Sequence, residues 1–177
     1  GYRLKLGRSN HIQYGPFAGT AQERADDINE MFSNPEIDAI FCARGGYGAN
    51  KVLPLLDYEN IRSNPKIFLG YSDITSYLTS ITQKTDLVTF HGPMLSSFRN
   101  EFVQYNYDSM VNMLELSSKV TISCPEDLSS RILRPGICEG QIWGGNLTLI
   151  TNRLGSSDAL KTEDVILFIE DIAEYLY

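Results

Sequence analysis

Ser72 lies in the stretch Lys66-Ile-Phe-Leu-Gly-Tyr-Ser-Asp-Ile-Thr75, where a short apolar run stops at a glycine and an amphipathic segment begins two residues after the serine. A serine on a strand-to-helix turn has its hydroxyl exposed and backbone N–H groups aimed at the atom it attacks, which is the setting of a nucleophile with an anion cradle. Such a serine needs a base, and the chain contains two histidines, His11 and His91. The same position also suits a helix cap, with Ser72 or Asp73 capping the helix that starts at Ile74. The spacing Gly70-x-Ser72-x-Ile74 departs from the Gly-x-Ser-x-Gly elbow of α/β-hydrolases, so that fold is not supported. A second distinctive segment, Arg44-Gly-Gly-Tyr-Gly48, offers backbone N–H groups without side chains in the way. It suits an oxyanion, a phosphate or a plain glycine turn. His91, ahead of Gly92-Pro93, is open to three roles: base, ligand-contacting donor or structural hydrogen-bonder. Glu170-Asp171 closes an apolar run and is a candidate acidic partner. Neither a Gly-Lys-Ser/Thr nor a Gly-x-Gly-x-x-Gly nucleotide pattern is present.

The elements that must position these residues follow from apolar spacing. Tyr2 to Leu6 reads as a strand. Thr20-Ala-Gln-Glu23 is a capping box, and Ala25, Ile28 and Phe32 recur at helical spacing, predicting a helix over 21–33 that stops at Asn34-Pro35. Ile37 to Ala43 is a nearly continuous apolar strand, and Val52, Leu53 and Leu56 start a second helix. Lys66 to Leu69 and Leu87 to Phe90 are further strands, with the helix of Ile74, Leu78 and Ile81 between them. This alternation predicts right-handed βαβ crossovers and a parallel sheet with helices on both faces. Ligands of such sheets bind outside the carboxyl ends of the strands, where the loops 44–48, 70–75 and 91–94 would converge.

A helix is expected near 101–117. Residues 118–140 are rich in Ser, Pro and Gly and lack helical period, which reads as a linker holding one or two short strands. Beyond it, Ile137 to Trp143 reads as a strand, Asn146 as the N-cap of a helix with Leu147, Ile150 and Leu154 inward and Gly155 at its end, and Val165 to Ile169 as a last strand. The expected organisation is therefore a domain over 1–117, a linker over 118–136, and the start of a second domain over 137–177.

Composition narrows the function classes. The 177 residues are 42% hydrophobic and 21% charged, an ordinary globular balance that argues against disorder. With 15 basic against 22 acidic residues the formal charge is −7 and no Lys/Arg cluster stands out, which disfavours nucleic acid and anionic membranes as partners and favours a small neutral or cationic ligand. The apolar runs are far short of a membrane span. Cys42, Cys124 and Cys138 lie 82 and 14 positions apart, a spacing that suggests neither a disulfide framework nor a zinc knuckle; reduced, mostly buried thiols are expected. The chain begins at Gly1, inside what reads as a strand, so the native N-terminus is expected to lie upstream.

Six blocks in order carry a family resemblance: Phe17-Ala-Gly-Thr20 with Arg24, Asn34-Pro-Glu-Ile-Asp-Ala-Ile-Phe-Cys-Ala-Arg-Gly-Gly-Tyr-Gly48, Asn64-Pro-Lys-Ile-Phe-Leu-Gly-Tyr-Ser-Asp-Ile-Thr75, Thr89-Phe-His-Gly-Pro-Met94, Trp143-Gly-Gly-Asn-Leu147 and Ile166-Leu-Phe-Ile-Glu-Asp171. Together they resemble the LD-carboxypeptidases, serine peptidases that include muramoyltetrapeptide carboxypeptidases and microcin C7 immunity peptidases. The resemblance implies an α/β fold of the flavodoxin or class I amidotransferase kind, followed by an incomplete second α/β domain. It also implies a Ser-His-Glu triad with Ser72 as nucleophile and Glu170 as acid. The family's histidine lies in the C-terminal domain, beyond residue 177, and His91 matches a block that does not supply the base. The 177 residues are accordingly expected to be inactive alone.

The mechanism so implied is acyl transfer. The backbone N–H groups of Asp73, Gly45 and Gly46 are the candidate oxyanion donors, at a helix N-terminus whose dipole favours negative charge. Tyr47, His91, Trp143 and Asn146 are candidate pocket residues, with core packing the alternative for Trp143. No metal or organic cofactor is called for. The implied substrate is a small peptide, a muropeptide tetrapeptide cut before its terminal D-Ala in cytoplasmic cell-wall recycling, and the implied assembly is a homodimer.

Overall fold

The computed structural model describes residues 1–99, 103–115, 119–125 and 128–173. Helix α1, Ala21–Ser33, begins at the expected capping box: Thr20 Oγ1 accepts from the Glu23 N–H at 3.2 Å, while Glu23 Oε2 accepts from the Thr20 N–H at 2.8 Å. Three strands, β1 (Ala39–Phe41), β2 (Ile67–Gly70) and β3 (Phe90–His91), form a parallel sheet in that order, with Ala39 opposite Ile67 and Leu69 opposite Phe90. The residues Val52, Leu53 and Leu56 are buried as expected, but they ride on two 3-10 turns, Ala49–Lys51 and Leu53–Leu55, rather than on one helix. Pro54 supplies no N–H to continue a helix, and a separate helix, α2 (Tyr58–Ser63), starts behind Asp57, whose side chain accepts from the Asn60 N–H. Helix α3 spans Thr75–Thr85 directly after a 3-10 turn over Ser72–Ile74.

The stretch Tyr2 to Leu6 is not a strand: it finds no ladder partner among the described residues, and Tyr2 and Leu4 face solvent. What ties it down is polar. Lys5 Nζ pairs with Glu30 at 2.8 Å, and the Arg8 and Ser9 N–H groups donate to the Asp27 carboxylate. Helix α4 occupies Gln104–Leu114, inside the expected range, whose ends fall partly outside the described residues. The described residues of 118–140 carry no strand. Strand β4 runs over Gln141–Asn146, later than Ile137 to Trp143, because its partner β5 (Val165–Glu170) sets the ladder: the pair is parallel from Gln141 opposite Val165 to Asn146 opposite Glu170. Helix α5, Leu147–Asn152, is capped by Asn146 Oδ1 accepting from the Leu149 N–H at 3.1 Å. Of its expected inward residues only Ile150 is buried; Leu147 and Leu154 are exposed.

The apolar core lies between α1, the three-stranded sheet and α3. Phe32, Val52, Ile61, Phe68 and Ile81 are fully buried in it, and Phe68 stacks on Phe32 at 6.0 Å and meets the Tyr77 ring edge-on at 6.2 Å. Fully burying side chains of this size contributes about 1.5–3 kcal/mol each. The opposite side of α3 is different in kind. Thr75, Ser76, Thr79 and Ser80 are buried there, close to β4 and α5. Arg153, 5% exposed, donates to the Ser76 carbonyl (3.3 Å), Thr79 Oγ1 (2.5 Å), Ser80 Oγ (3.0 Å) and the Asp158 carbonyl. Small polar side chains let the second sheet approach closely, and the guanidinium satisfies the Thr79 and Ser80 hydroxyls, while Ser76 Oγ and the Arg153 Nε find no partner among the described residues.

The approach is closest at Gly145, whose φ is +138° and where a Cβ would lie 2.5 Å from Thr75 Oγ1. Gly145→Ala is therefore expected to lower the unfolding free energy by at least the ~1–3 kcal/mol of a strained backbone, as measured by urea denaturation.

Candidate active site

In a parallel sheet the loops that leave the carboxyl ends of neighbouring strands share one edge. Here they are stitched together by the backbone. The Gly92 N–H donates to the Gly70 carbonyl at 3.1 Å, the Ser96 N–H to Ala43 at 3.0 Å and the Leu95 N–H to Cys42 at 3.4 Å. Ser72 stands at the centre of this edge with φ +62°, a left-handed conformation that non-glycine residues adopt at a cost. Neither Ser72 nor Asp73 caps a helix: the 72–74 turn and α3 both start without a side-chain cap. The capping alternative is thereby removed, and the serine hydroxyl is left for other work.

Gly45 packs on Ser72. A Cβ at Gly45 would lie 3.1 Å from Ser72 Cβ, 3.3 Å from its Oγ and 3.4 Å from Met94 Cε, so only a glycine fits without displacement. Among the described residues, the N–H groups of Gly45, Gly46 and Asp73 donate to no acceptor. Unpaired N–H donors of this kind, close in sequence to the start of an 11-residue helix or packed on Ser72, are groups that can receive negative charge.

The Asp73 carboxylate is engaged by the loop itself. It is buried and accepts from the Ala49 N–H at 3.0 Å, on the far side of the glycine-rich loop. Burial pushes its pKa up, opposed by the Ala49 N–H, the nearby Arg24 guanidinium and the Gly48 N–H. Cys42, at the end of β1, is pushed up to about 12 by burial and by the neighbouring Asp73 charge, which makes it a poor nucleophile.

The second sheet reaches the same edge through α3. The Asn146 N–H donates to Thr75 Oγ1 at 2.9 Å, three residues after Ser72. Asn146 Nδ2 donates to Asp171 Oδ1 at 3.1 Å, and Asp171 Oδ2 accepts from the Thr148 N–H and hydroxyl, bonds that hold its pKa below the usual carboxylate range. Glu170, opposite Asn146 in the ladder, differs from its neighbour: its Oε1 is buried and has no hydrogen-bond partner among the described residues. An orphaned buried carboxylate oxygen of this kind calls for a donor.

His91 ends β3 opposite Gly70, and its ring meets Phe168 edge-on at 5.0 Å and Tyr71 at 6.2 Å. His91 is exposed as a residue, yet partial burial of its ring lowers its pKa. Tyr47 projects into solvent, 73% exposed, and stacks on Phe17 at 6.2 Å. Trp143 is half-buried in β4, and its indole N–H donates to Gln141 of the same strand at 3.1 Å, so it is neither a core residue nor aimed at the serine by any polar contact. His11 lies on an exposed 3-10 turn, Arg8–His11. Ser72, Asp73, Gly45, Gly46, His91, Asn146 and Glu170 thus gather along one edge, while Tyr47 and Trp143 stand at its margins. Met94, Thr75 and Phe168 complete the edge; they lie in motif blocks of the sequence, but their roles are set by tertiary contacts that no local pattern shows. Among the described residues no group of three or more His, Cys, Asp or Glu side chains is placed to hold a metal, and no helix is long and apolar enough to cross a membrane.

Comparisons with known proteins agree with this architecture. Residues 1–92 match the family model of the LD-carboxypeptidase N-terminal domain, and residues 139–177 match that of the C-terminal domain. The chain is 42% identical to a probable murein peptide carboxypeptidase of Bacillus subtilis, over 100% of this chain and 56% of that protein. It is 38% identical to the microcin C7 self-immunity protein MccF of Escherichia coli, over 87% of this chain and 53% of that protein. The crystal structure of muramoyltetrapeptide carboxypeptidase from Oxalobacter formigenes superposes with a TM-score of 0.79 at 29% identity, covering 91% of this chain and 54% of that one. The chain therefore spans about half the length of the relatives it matches. With parallel sheets, flanking helices and both domain models matched in order, the chain belongs to the LD-carboxypeptidase family.

Proposed function

We propose that these residues carry the nucleophile, the oxyanion donors and the acid of a serine carboxypeptidase that hydrolyses an L,D-peptide bond and releases the terminal D-Ala of a muropeptide tetrapeptide. The observation that carries the reading is Ser72 itself: a non-glycine residue at φ +62° on a strand-to-helix turn, its hydroxyl engaged in no cap, packed on Gly45, whose N–H, like those of Gly46 and Asp73, has no acceptor among the described residues. Backbone strain of this kind persists where the surroundings over-determine it, and nucleophile turns are such places. In the proposed reaction Ser72 Oγ attacks the scissile carbonyl, and its proton passes to a histidine outside these 177 residues. The Asp73, Gly45 and Gly46 N–H groups take the oxyanion, and Glu170 accepts the imidazole N–H with the oxygen that is otherwise unpartnered. The proton returns to the leaving amino group as D-Ala departs, and water then hydrolyses the acyl-serine. Each oxyanion donor of this type is worth about 2.7–4 kcal/mol in the transition state.

His91 is a wall of the site rather than the base, since its ring is turned against Phe168 and Tyr71. Tyr47, Trp143 and Asn146 are assigned with it to the substrate pocket. The reading is of a homodimeric enzyme of cytoplasmic cell-wall recycling, each chain carrying a domain over 1–117 and the start of a second over 137–177, with residues 118–136 as the linker between them. The 38% identity to a microcin C7 self-immunity protein favours a second substrate class, an aminoacyl-nucleotide amide cut by the same serine.

The full-length protein is expected to release D-Ala from a muropeptide tetrapeptide and to be labelled at Ser72 by a fluorophosphonate, with both signals lost in Ser72→Ala. An unlabelled, inactive wild type would leave a noncatalytic binding module, and turnover of an aminoacyl nucleotide in place of the tetrapeptide would select the second substrate. For His91 the prediction concerns stability. Its folded pKa lies below the ordinary value of about 6.5, so its neutral form contributes stability that is present above that value and lost as pH falls through the lowered one. His91→Gln is expected to lose less stability between pH 7.5 and 5 than the wild type in denaturant titrations, while retaining Ser72 labelling.

A further inference from the structure

We infer that the side chain of Asp73 is a positioning residue for the proposed oxyanion cradle, holding its two halves at a fixed separation on either side of Ser72. The inference rests on the serine reading above. One half of the cradle is the Asp73 N–H on the nucleophile turn; the other is Gly45 and Gly46, in the loop after β1. Little covalent structure connects them, since Asp73 and Ala49 are 24 positions apart. The carboxylate bridges that gap. Only 6% exposed, it accepts from the Ala49 N–H at 3.0 Å, and the Gly48 N–H also bears on it.

Arg24 closes the circuit from helix α1. Its Nη1 donates to the Gly48 carbonyl at 3.5 Å, and its charge acts on the Asp73 carboxylate. The loop is thereby held from both its N–H and its C=O side, with Gly45 seated on Ser72 at the other end. The same bond explains how Ser72 keeps φ +62°: the residue after it cannot rotate without leaving its carboxylate buried and unpaired. Cutting the bridge lets the two sets of donors drift apart. Because the donors act on developing charge, the loss falls on the transition state rather than on substrate binding.

The test compares Asp73→Ala and Asp73→Asn in the full-length enzyme, reading kcat and KM for D-Ala release from a muropeptide tetrapeptide alongside the folded fraction by circular dichroism. Asp73→Ala is expected to lower kcat per folded molecule at least tenfold with KM within twofold. Asp73→Asn, which keeps one acceptor oxygen for the Ala49 N–H, is expected to fall between Asp73→Ala and the wild type. A wild-type kcat in Asp73→Ala, a raised KM at unchanged kcat, or a loss of activity that only tracks loss of folded protein would overturn the inference. Should Asp73→Ala fail to fold, Asp73→Asn decides alone: kcat per folded molecule equal to wild type counts against it, a reduced kcat at unchanged KM supports it. Ser72→Ala separates the two layers, since activity persisting there sinks the serine mechanism, whereas an inactive Ser72→Ala beside fully active Asp73 variants sinks the positioning role alone.

Discussion

Helix α3 is enclosed on two sides by environments of opposite character, and the arrangement of the candidate site depends on that enclosure. Tyr77, Leu78 and Ile81 bury into the core beneath the three-stranded sheet, while Thr75, Ser76, Thr79 and Ser80 are buried on the side of β4 and α5. The apolar side supplies the free energy of burial and tolerates some sliding, because hydrophobic contact is not directional. The polar side removes that freedom. The Asn146 N–H on Thr75 Oγ1 and the Arg153 guanidinium on Ser76, Thr79 and Ser80 are directional bonds made out of water, where an unmade one costs about 1–3 kcal/mol. A helix held in this way presents its N-terminus, and so Ser72, in one place relative to both sheets.

That double attachment explains why residues from distant parts of the chain meet. Asn146 reaches α3 because Gly145 lets β4 approach it, and Glu170 follows because it lies opposite Asn146 in the ladder. Phe168 brings an aromatic face to His91 from the same strand. The carboxylates at the strand ends then divide by environment. Asp171 is saturated with donors and holds the start of α5, whereas Glu170 keeps an unpartnered buried oxygen. Adjacent residues of the same chemical type thus end in different environments at the end of the strand.

Much of the fold was legible because the signals are local. The α1 capping box, the stop at Asn34-Pro35, the apolar strands before the loops at Arg44 and Tyr71 and the Asn146 cap all depend on residues within a few positions of one another, whereas the strand expected over Leu87 to Phe90 is only Phe90–His91, where β2 pairs with it. The readings that changed are those where a partner decides. Tyr2 to Leu6 has the alternation of a strand, yet a strand exists only when a ladder pairs it. Strand β4 begins at Gln141 because β5 begins at Val165. The segment from Ala49 to Leu56 has helical apolar spacing, but Pro54 and the docking of Ala49 on Asp73 break it into short turns.

The site divides along the same line. Residue type and spacing alone determined that Ser72 sits between a strand and a helix, that a glycine-rich loop follows the preceding strand, and that both lie at the carboxyl-end edge of a parallel sheet. These follow from the chain's own conformational preferences, which act over a few residues. Only the tertiary structure decided that Ser72 is a left-handed turn residue and not a cap, that the Asp73 carboxylate bonds to a loop 24 positions away, and that Glu170 and not Asp171 has an oxygen to offer. A cap and a nucleophile turn share one sequence pattern. What separates them is where the hydrogen bonds of a serine and an aspartate end, and that is settled by whichever groups the packed chain brings within about 3 Å.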